Sequence, residues 1–163
     1  SPFALVREVR EFFDGPLALS GSISEGSSVL SALALGADFA YVGTKFIATE
    51  EANASPGYKQ MIIDSTADDI MYSATFTGVN GNYLRPSVEA AGLNPDEHMS
   101  GSKDDMNFST SAIAKKDNSS KAWKDIWGSG QGIGSIKNAP SVEDAVNQMV
   151  SEYDDAKSRL ESF

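Results

Sequence analysis

The pattern of apolar and polar positions near the start of the chain predicts a strand, a helix and a second strand in succession. Residues 17–19 form a short, continuously apolar run, as in a strand that is buried on both faces. The segment after it has apolar residues at helical spacing, at Val29, Leu30, Leu33 and Ala34. Gly36 is expected to end this helix, and residues 39–42 form the second strand. A unit of this size predicts a right-handed crossover between two parallel strands.

Small residues follow each of the two predicted strands. Gly21 and Ser22 form the first turn, after which Ser24 can cap the helix. Gly43 and Thr44 form the second turn. Because neighbouring parallel strands end at the same edge of a sheet, we expect the two turns to lie side by side, as in the phosphate sites of (β/α)8 barrels. Small residues are also ordinary in connections between elements, so each turn alone indicates little, whereas the pair favours a phosphate site.

Helical patterns also occur at the two ends of the chain. Ser1 and Pro2 open the first helix, whose apolar face consists of Phe3, Val6, Val9 and Phe13. Ser141 and Asp144 form a capping box at the start of a long second helix. The apolar stripe of that helix consists of Val142, Val146, Met149, Tyr153, Ala156 and Leu160. We expect the stripe to pack against the rest of the protein, because it is too short to favour a coiled coil.

The middle of the chain predicts a small helical subdomain. Ser55 and Pro56 open a short helix, and residues 66–69 have the capping-box pattern of another one. Residues 95–120 are rich in polar residues and poor in large apolar ones, which indicates a surface loop and, as the less favoured alternative, a lid. The expected parts of the chain are the last barrel units with the phosphate turns over 1–54, the helical subdomain with an irregular excursion over 55–127, and a glycine-rich loop with the C-terminal helix over 128–163.

Four segments of the chain carry the motifs of one known family. Residues 21–26, Gly-Ser-Ile-Ser-Glu-Gly, are similar to the pattern Gly-Gly-Ile-Ala-Asp-Gly, and residues 32–37 match Ala-Leu-Ala-Leu-Gly-Ala. Residues 41–46, Tyr-Val-Gly-Thr-Lys-Phe, are similar to Gln-x-Gly-Thr-Arg-Phe, and residues 128–134, Gly-Ser-Gly-Gln-Gly-Ile-Gly, to Ala-Gly-Gln-Gly-Val-Gly. With these motifs the chain resembles the nitronate monooxygenase (2-nitropropane dioxygenase) family. The resemblance implies an α/β fold, the C-terminal part of a (β/α)8 TIM barrel.

The resemblance also implies a cofactor and a reaction. It implies an FMN-dependent oxidoreductase, a flavoprotein that oxidises alkyl nitronates or nitroalkanes with O2. The residues that it implies for cofactor binding are Gly21, Ser22, Tyr41, Val42, Gly43, Thr44 and Gln131. It implies no catalytic residue in this chain, because the family's catalytic histidine is expected upstream of Ser1, and no metal site is expected. The glycines around Gln131 permit a close backbone approach, although a mobile glycine loop has the same pattern.

Two of these residues depart from the family's pattern. Ser22 replaces a glycine, keeps its backbone N–H and adds a hydroxyl donor. A side chain at that turn requires either a negative φ or a mildly strained backbone. Tyr41 replaces a glutamine, so a ring takes the place of an amide that could reach the flavin. We expect the phosphate contacts to survive the change at Ser22 and leave open whether Tyr41 contacts the flavin.

Two other functions share the same turns. A flavin-dependent enoyl-acyl-carrier-protein reductase would use them with a nicotinamide donor, and a non-catalytic module would use them to bind a phosphate ligand alone. A complete barrel needs about 200 residues or more, whereas this chain has 163 residues and two predicted barrel strands. We therefore expect it to belong to a longer polypeptide that supplies the remainder of the same barrel, with a small nitronate or related substrate and O2 as its partners.

Composition and single residues further restrict the partners and the location that we expect for this protein. The net charge of −10 argues against binding to nucleic acid or to an anionic membrane. Without cysteine and without an apolar run that could cross a bilayer, the predicted location is the cytoplasm. His98 lies in a polar stretch and is interpreted as a surface residue, and Glu50 and Glu51 are interpreted as a solvated helical turn. Lys45 could neutralise a phosphate or equally face outward.

Overall fold

The computed structural model describes residues 1–98 and 125–162, which form two compact units. The first unit consists of Ser1–Ile63 together with Gly132–Phe163, and the second consists of Asp64–Gln131. Most of the polar stretch predicted as a surface loop or lid lies outside the described residues, as does the side chain of His98. Within the described part of the chain, no helix combines the length and the hydropathy that crossing a membrane would require.

The first unit begins with the predicted strand–helix–strand arrangement. Its first four elements are α1 (Pro2–Arg10), β1 (Ala18–Ser20), α2 (Gly26–Leu35) and β2 (Phe39–Tyr41). The two strands are parallel, with Ala18 opposite Phe39 and Ser20 opposite Tyr41. Gly36 ends α2 in the left-handed conformation, with φ of 108°, as predicted for a helix stop. The expected parallel pair is therefore confirmed.

The core of this unit lies on one face of the strand pair. Its buried residues are Val6, Leu19, Ile23, Ala32 and Ala37. On β1 only Leu19 is buried within this chain, and Ala18 and Ser20 are exposed, so the expected burial of this strand on both faces stays a prediction for the complete barrel. On α1 only Val6 is buried, whereas Phe3 and Phe13 of the predicted apolar face are exposed. On β1 the burial follows from the alternation of side chains along a strand, because the helices cover only the side to which Leu19 points.

Arg10 joins three elements of the first unit. Its guanidinium donates hydrogen bonds to the carbonyl oxygens of Gly36 and Gly15, at 2.9 and 2.7 Å, and forms an ion pair with Asp38 at 2.6 Å. The same carboxylate accepts a hydrogen bond from the backbone N–H of Leu17. These two hydrogen bonds, the one from Leu17 first, lower the pKa of Asp38 below its usual value. The end of α1 is thereby fixed to the ends of β1 and β2 that lie away from the two turns.

Two short helices follow β2, and a long helix ends the chain. They are α3 (Thr44–Ile47), α4 (Pro56–Asp64) and α6 (Val142–Glu161). The predicted capping box of α6 is present, since the Ser141 side chain accepts a hydrogen bond from the backbone N–H of Asp144. Glu51, expected to be solvated, accepts a hydrogen bond from the backbone N–H of Val142. A carboxylate at that position stabilises the N-terminus of α6.

The long helix α6 lies directly on the first turn of α2. A Cβ at Gly26 would collide with backbone atoms of Met149 and Tyr153, so the two helices touch through glycine. Met149 and Ala156 of the predicted stripe are buried, together with Ala145, whereas Val142, Val146 and Leu160 of that stripe are exposed. The helix packs against α2 within the first unit, and the residues that it buries differ in part from the predicted apolar stripe.

The second unit contains strands that the sequence did not predict. The capping box at Thr66 is present, but it opens a single 3-10 turn, Ala67–Asp69, and the predicted second helix was wrong. The next elements are the antiparallel strands β3 (Ile70–Ser73) and β4 (Gly81–Leu84), then α5 (Arg85–Ala90). Burial alternates along β3, which is the pattern of a strand. Met71, Val88 and Ile126 form the core of this unit.

Candidate phosphate-binding site

The two small-residue turns lie at the same edge of the parallel strand pair. Ser20 and Tyr41, the last residues of β1 and β2, are register partners, and the hydroxyl of Ser20 donates to the carbonyl oxygen of Tyr41 at 3.3 Å. Gly21 and Gly43 therefore follow adjacent strand ends. The structure brings together the two turns that the sequence predicted to be neighbours.

The first turn has an unusual backbone. Gly21 has φ of 99° and Ser22 has φ of 57°, so two successive residues are in conformations with positive φ. Among the described residues, Ser22 is the only one other than glycine with positive φ. Of the two conformations expected for Ser22, the structure has the strained one. Such strain persists where the surrounding structure enforces it, and it is concentrated at functional sites.

The turns leave both space and hydrogen-bond donors open. A Cβ added at Gly21 or at Gly43 would meet no atom within 4 Å. In the described part of the chain, no group accepts a hydrogen bond from the backbone N–H of Ser22 or of Gly43. Both residues are exposed. An anion that needs N–H donors and close backbone approach fits this arrangement, so the turns are suited to a phosphate group.

The N-terminus of α2, in contrast, is already occupied. The backbone N–H of Gly26 donates to the carboxylate of Glu152 on α6 at 2.8 Å. Glu25, not Ser24, is the N-cap residue, so the predicted cap was wrong. Because the Glu152 carboxylate neutralises this helix end, the donors left for a phosphate are those of the turns.

Ser24 forms a buried hydroxyl network instead of a cap. Its hydroxyl donates to the carbonyl oxygen of Gly132 at 2.8 Å and lies 2.8 Å from the hydroxyl of Ser135. The hydroxyl of Ser135 also lies 3.2 Å from the carbonyl oxygen of Gly132. The sequence offered one signal for this network, because Ser24 stands where the family pattern has alanine.

The other predicted site residues have different surroundings. Tyr41 is 66% exposed, and Val42 packs on the core of the first unit. Thr44 is the first residue of α3 and is half-buried. Gln131 is the exposed last residue of the second unit, and it begins the 3-10 helix Gln131–Ser135. Its approach to the flavin stays a prediction.

Lys45 does not face outward. It belongs to α3, and its side chain is buried, with 5% exposed. Neither of the two ion pairs found among the described residues includes it. The alternative of a solvated lysine was therefore wrong, and a role toward a phosphate stays a prediction.

Comparison with known proteins identifies the family. Residues 1–152 match the family model described as nitronate monooxygenase. The chain belongs to the nitronate monooxygenase family. A nitronate monooxygenase of Paraburkholderia phytofirmans is 31% identical over 93 residues, which make up 57% of this chain and 25% of that protein.

Solved structures identify the fold. The structure of FabK from Thermotoga maritima superimposes with a TM-score of 0.72 at 23% identity and covers 99% of this chain and 51% of that one. A nitroalkane oxidase from Streptomyces ansochromogenes gives a TM-score of 0.71 at 24% identity and covers 98% of this chain and 45% of that one. The chain has the fold of part of a (β/α)8 TIM barrel, and it spans about half the length of these proteins or less.

Proposed function

We propose that this chain supplies the FMN-phosphate site of a flavin-dependent oxidoreductase of the nitronate monooxygenase type. One observation carries the proposal: two open glycine turns follow adjacent parallel strands at the same edge, and the N–H groups of Ser22 and Gly43 have no acceptor among the described residues. In (β/α)8 barrels this is the edge at which active sites and phosphate sites lie. Family membership supports the choice of a flavin as the phosphate ligand.

In this proposal the chain binds and orients, and it contributes no acid or base. The N–H groups of Ser22 and Gly43 hold the phosphate, assisted by the hydroxyl of Thr44, and Gln131 approaches the flavin. Tyr41 lies at the end of β2 on the face opposite the helices, which is the interior face of a closed barrel. When bound, FMN supplies the electron transfer by which a nitronate is oxidised with O2. The base is the family's histidine, expected outside this chain.

The binding of FMN and of riboflavin to the apo-protein tests the phosphate site. The two ligands share the flavin ring and differ by the phosphate, so FMN should bind more tightly. In Gly43→Val the added side chain occupies the open space at the second turn, and the affinity for FMN should fall to that for riboflavin. Because this side chain meets no protein atom within 4 Å at its Cβ, the thermal midpoint of the apo-protein should stay unchanged. Equal affinity of wild type for the two flavins would contradict the site.

Turnover assays separate the functions that share this site. Oxygen consumption that depends on an alkyl nitronate is expected for the FMN-loaded full-length protein that contains this chain together with the remainder of the barrel. Oxidation of a nicotinamide donor that depends on an enoyl thioester would instead indicate an enoyl-acyl-carrier-protein reductase. FMN binding with neither activity would indicate a binding module.

A further inference from the structure

The buried hydroxyl of Ser24 and the half-buried hydroxyl of Ser135 lie next to the strained turn. Ser24 is 4% exposed, and its hydrogen bonds reach across more than a hundred residues of sequence to Gly132 and Ser135. The hydroxyls of Ser24 and Ser135 have one proton each. The proton of Ser24 bonds to the carbonyl oxygen of Gly132, and that of Ser135 can bond to the oxygen of Ser24. A buried hydroxyl that is fully bonded in this way fixes the segments that it joins.

Gly132 rests on the strained residue itself. A Cβ at Gly132 would lie 2.7 Å from the carbonyl oxygen of Ser22 and 2.7 Å from the hydroxyl of Ser24. The backbone at Gly132 is therefore packed against Ser22 and is held there by the two hydroxyls. Residues with positive φ keep that conformation only where their surroundings enforce it.

Two of the departures from the family pattern in this segment, Ser22 and Ser24, thus lie next to the same residue, Gly132. Where the pattern has glycine the chain has Ser22, which adds strain, and where it has alanine the chain has Ser24, which adds a hydrogen bond. We propose that Ser24, together with Ser135, is a positioning residue that holds Ser22 in the left-handed conformation that binds the FMN phosphate. This inference rests on the proposed phosphate site, and it adds that the two serines depend on each other.

Four proteins test the dependence: wild type, Ser24→Ala, Ser22→Gly and the double variant. Ser24→Ala should weaken FMN binding about tenfold, the effect of losing one well-formed hydrogen bond, and leave riboflavin binding unchanged. Glycine adopts positive φ without strain, so Ser22→Gly should restore FMN affinity in the double variant. Ser31→Ala is the matched control, because it removes an exposed hydroxyl of α2 that bonds only within that helix. The control should bind FMN as wild type does.

The outcomes separate this inference from the proposed function. If wild type does not prefer FMN to riboflavin, the phosphate site is refuted; the thermal midpoints of the four apo-proteins still test the dependence. Ser22→Gly should raise the midpoint less in the Ser24→Ala background than in wild type, because without the Ser24 hydroxyl the strain at Ser22 is already released. If wild type prefers FMN but Ser24→Ala binds it unchanged, or if Ser22→Gly does not rescue that variant, the positioning role is refuted and the site remains.

Discussion

At the scale of single residues, Ser22 is a residue with a side chain in a backbone conformation that favours glycine. A side chain in the left-handed region costs roughly 1–2 kcal/mol, and this chain has one at the turn proposed to bind phosphate. The sequence predicted the turn and its small residues, because glycine and serine after a strand are a local pattern. It left the sign of φ open, because that sign depends on Gly132, which lies far away in the sequence.

Ser22→Gly should therefore stabilise the protein. Relief of the strain exceeds the entropy that an added glycine costs, so we expect a gain of about 0.5–1 kcal/mol in the free energy of unfolding. Urea denaturation of the apo-protein measures it. Ser22→Ala is the control, because it keeps the strain and removes only the hydroxyl. A loss of stability in Ser22→Gly would contradict the strain, and equal FMN affinity of Ser22→Ala and wild type would exclude the hydroxyl as a phosphate donor.

At the scale of elements, two carboxylates fix the long C-terminal helix. Glu51 accepts from the N-terminus of α6, and Glu152 of α6 accepts from the N-terminus of α2. The helix itself was predictable, because its capping box and apolar spacing are local. Its partner was not, because Gly26 belongs to a motif that suggested a phosphate turn. In the structure Gly26 is the place where α6 touches α2.

Gly26→Ala should displace α6 from α2. The new Cβ would meet backbone atoms of Met149 and Tyr153, which cannot rotate away as a side chain does. We expect a loss of about 3 kcal/mol or more in the free energy of unfolding, the upper range for overpacking. The matched variant Gly43→Ala adds the same methyl group in open space and should leave stability within about 0.5 kcal/mol of wild type. Equal stability of the two variants would contradict the close contact.

At the scale of the whole molecule, the strand pair has an uncovered face. Phe39 and Tyr41 on β2 are 61% and 66% exposed, next to Ala18 and Ser20 on β1. The sequence indicated part of a barrel from its motifs, and the fold comparison confirms it. The strands β3 and β4 were missed, because the capping box at Thr66 is a strong local signal for a helix and the pairing of β3 with β4 is not local.

The net charge of −10 predicts how salt affects cofactor binding. A negatively charged protein repels the phosphate of FMN during approach, and salt screens this repulsion. Raising the ionic strength from about 0.01 M to about 0.1 M shortens the screening length from about 30 Å to about 10 Å. The association rate of FMN should therefore rise severalfold, whereas that of uncharged riboflavin should not change. Stopped-flow flavin fluorescence measures both rates, and a fall in the FMN rate would show that local positive charge dominates.

The contact between Glu152 and Gly26 joins a part of the chain that is synthesised early to one that is synthesised late. The two residues are 126 positions apart, and the earlier one begins the helix that follows the first turn. On the ribosome, β1, β2 and both turns emerge long before the residues that support them, Gly132, Ser135 and α6. A nascent chain therefore carries the turns before it carries their support, and the proposed site is supported only once synthesis has reached α6. We expect a chain that ends before α6 to lack the support of the proposed phosphate turns, which lie more than a hundred residues upstream.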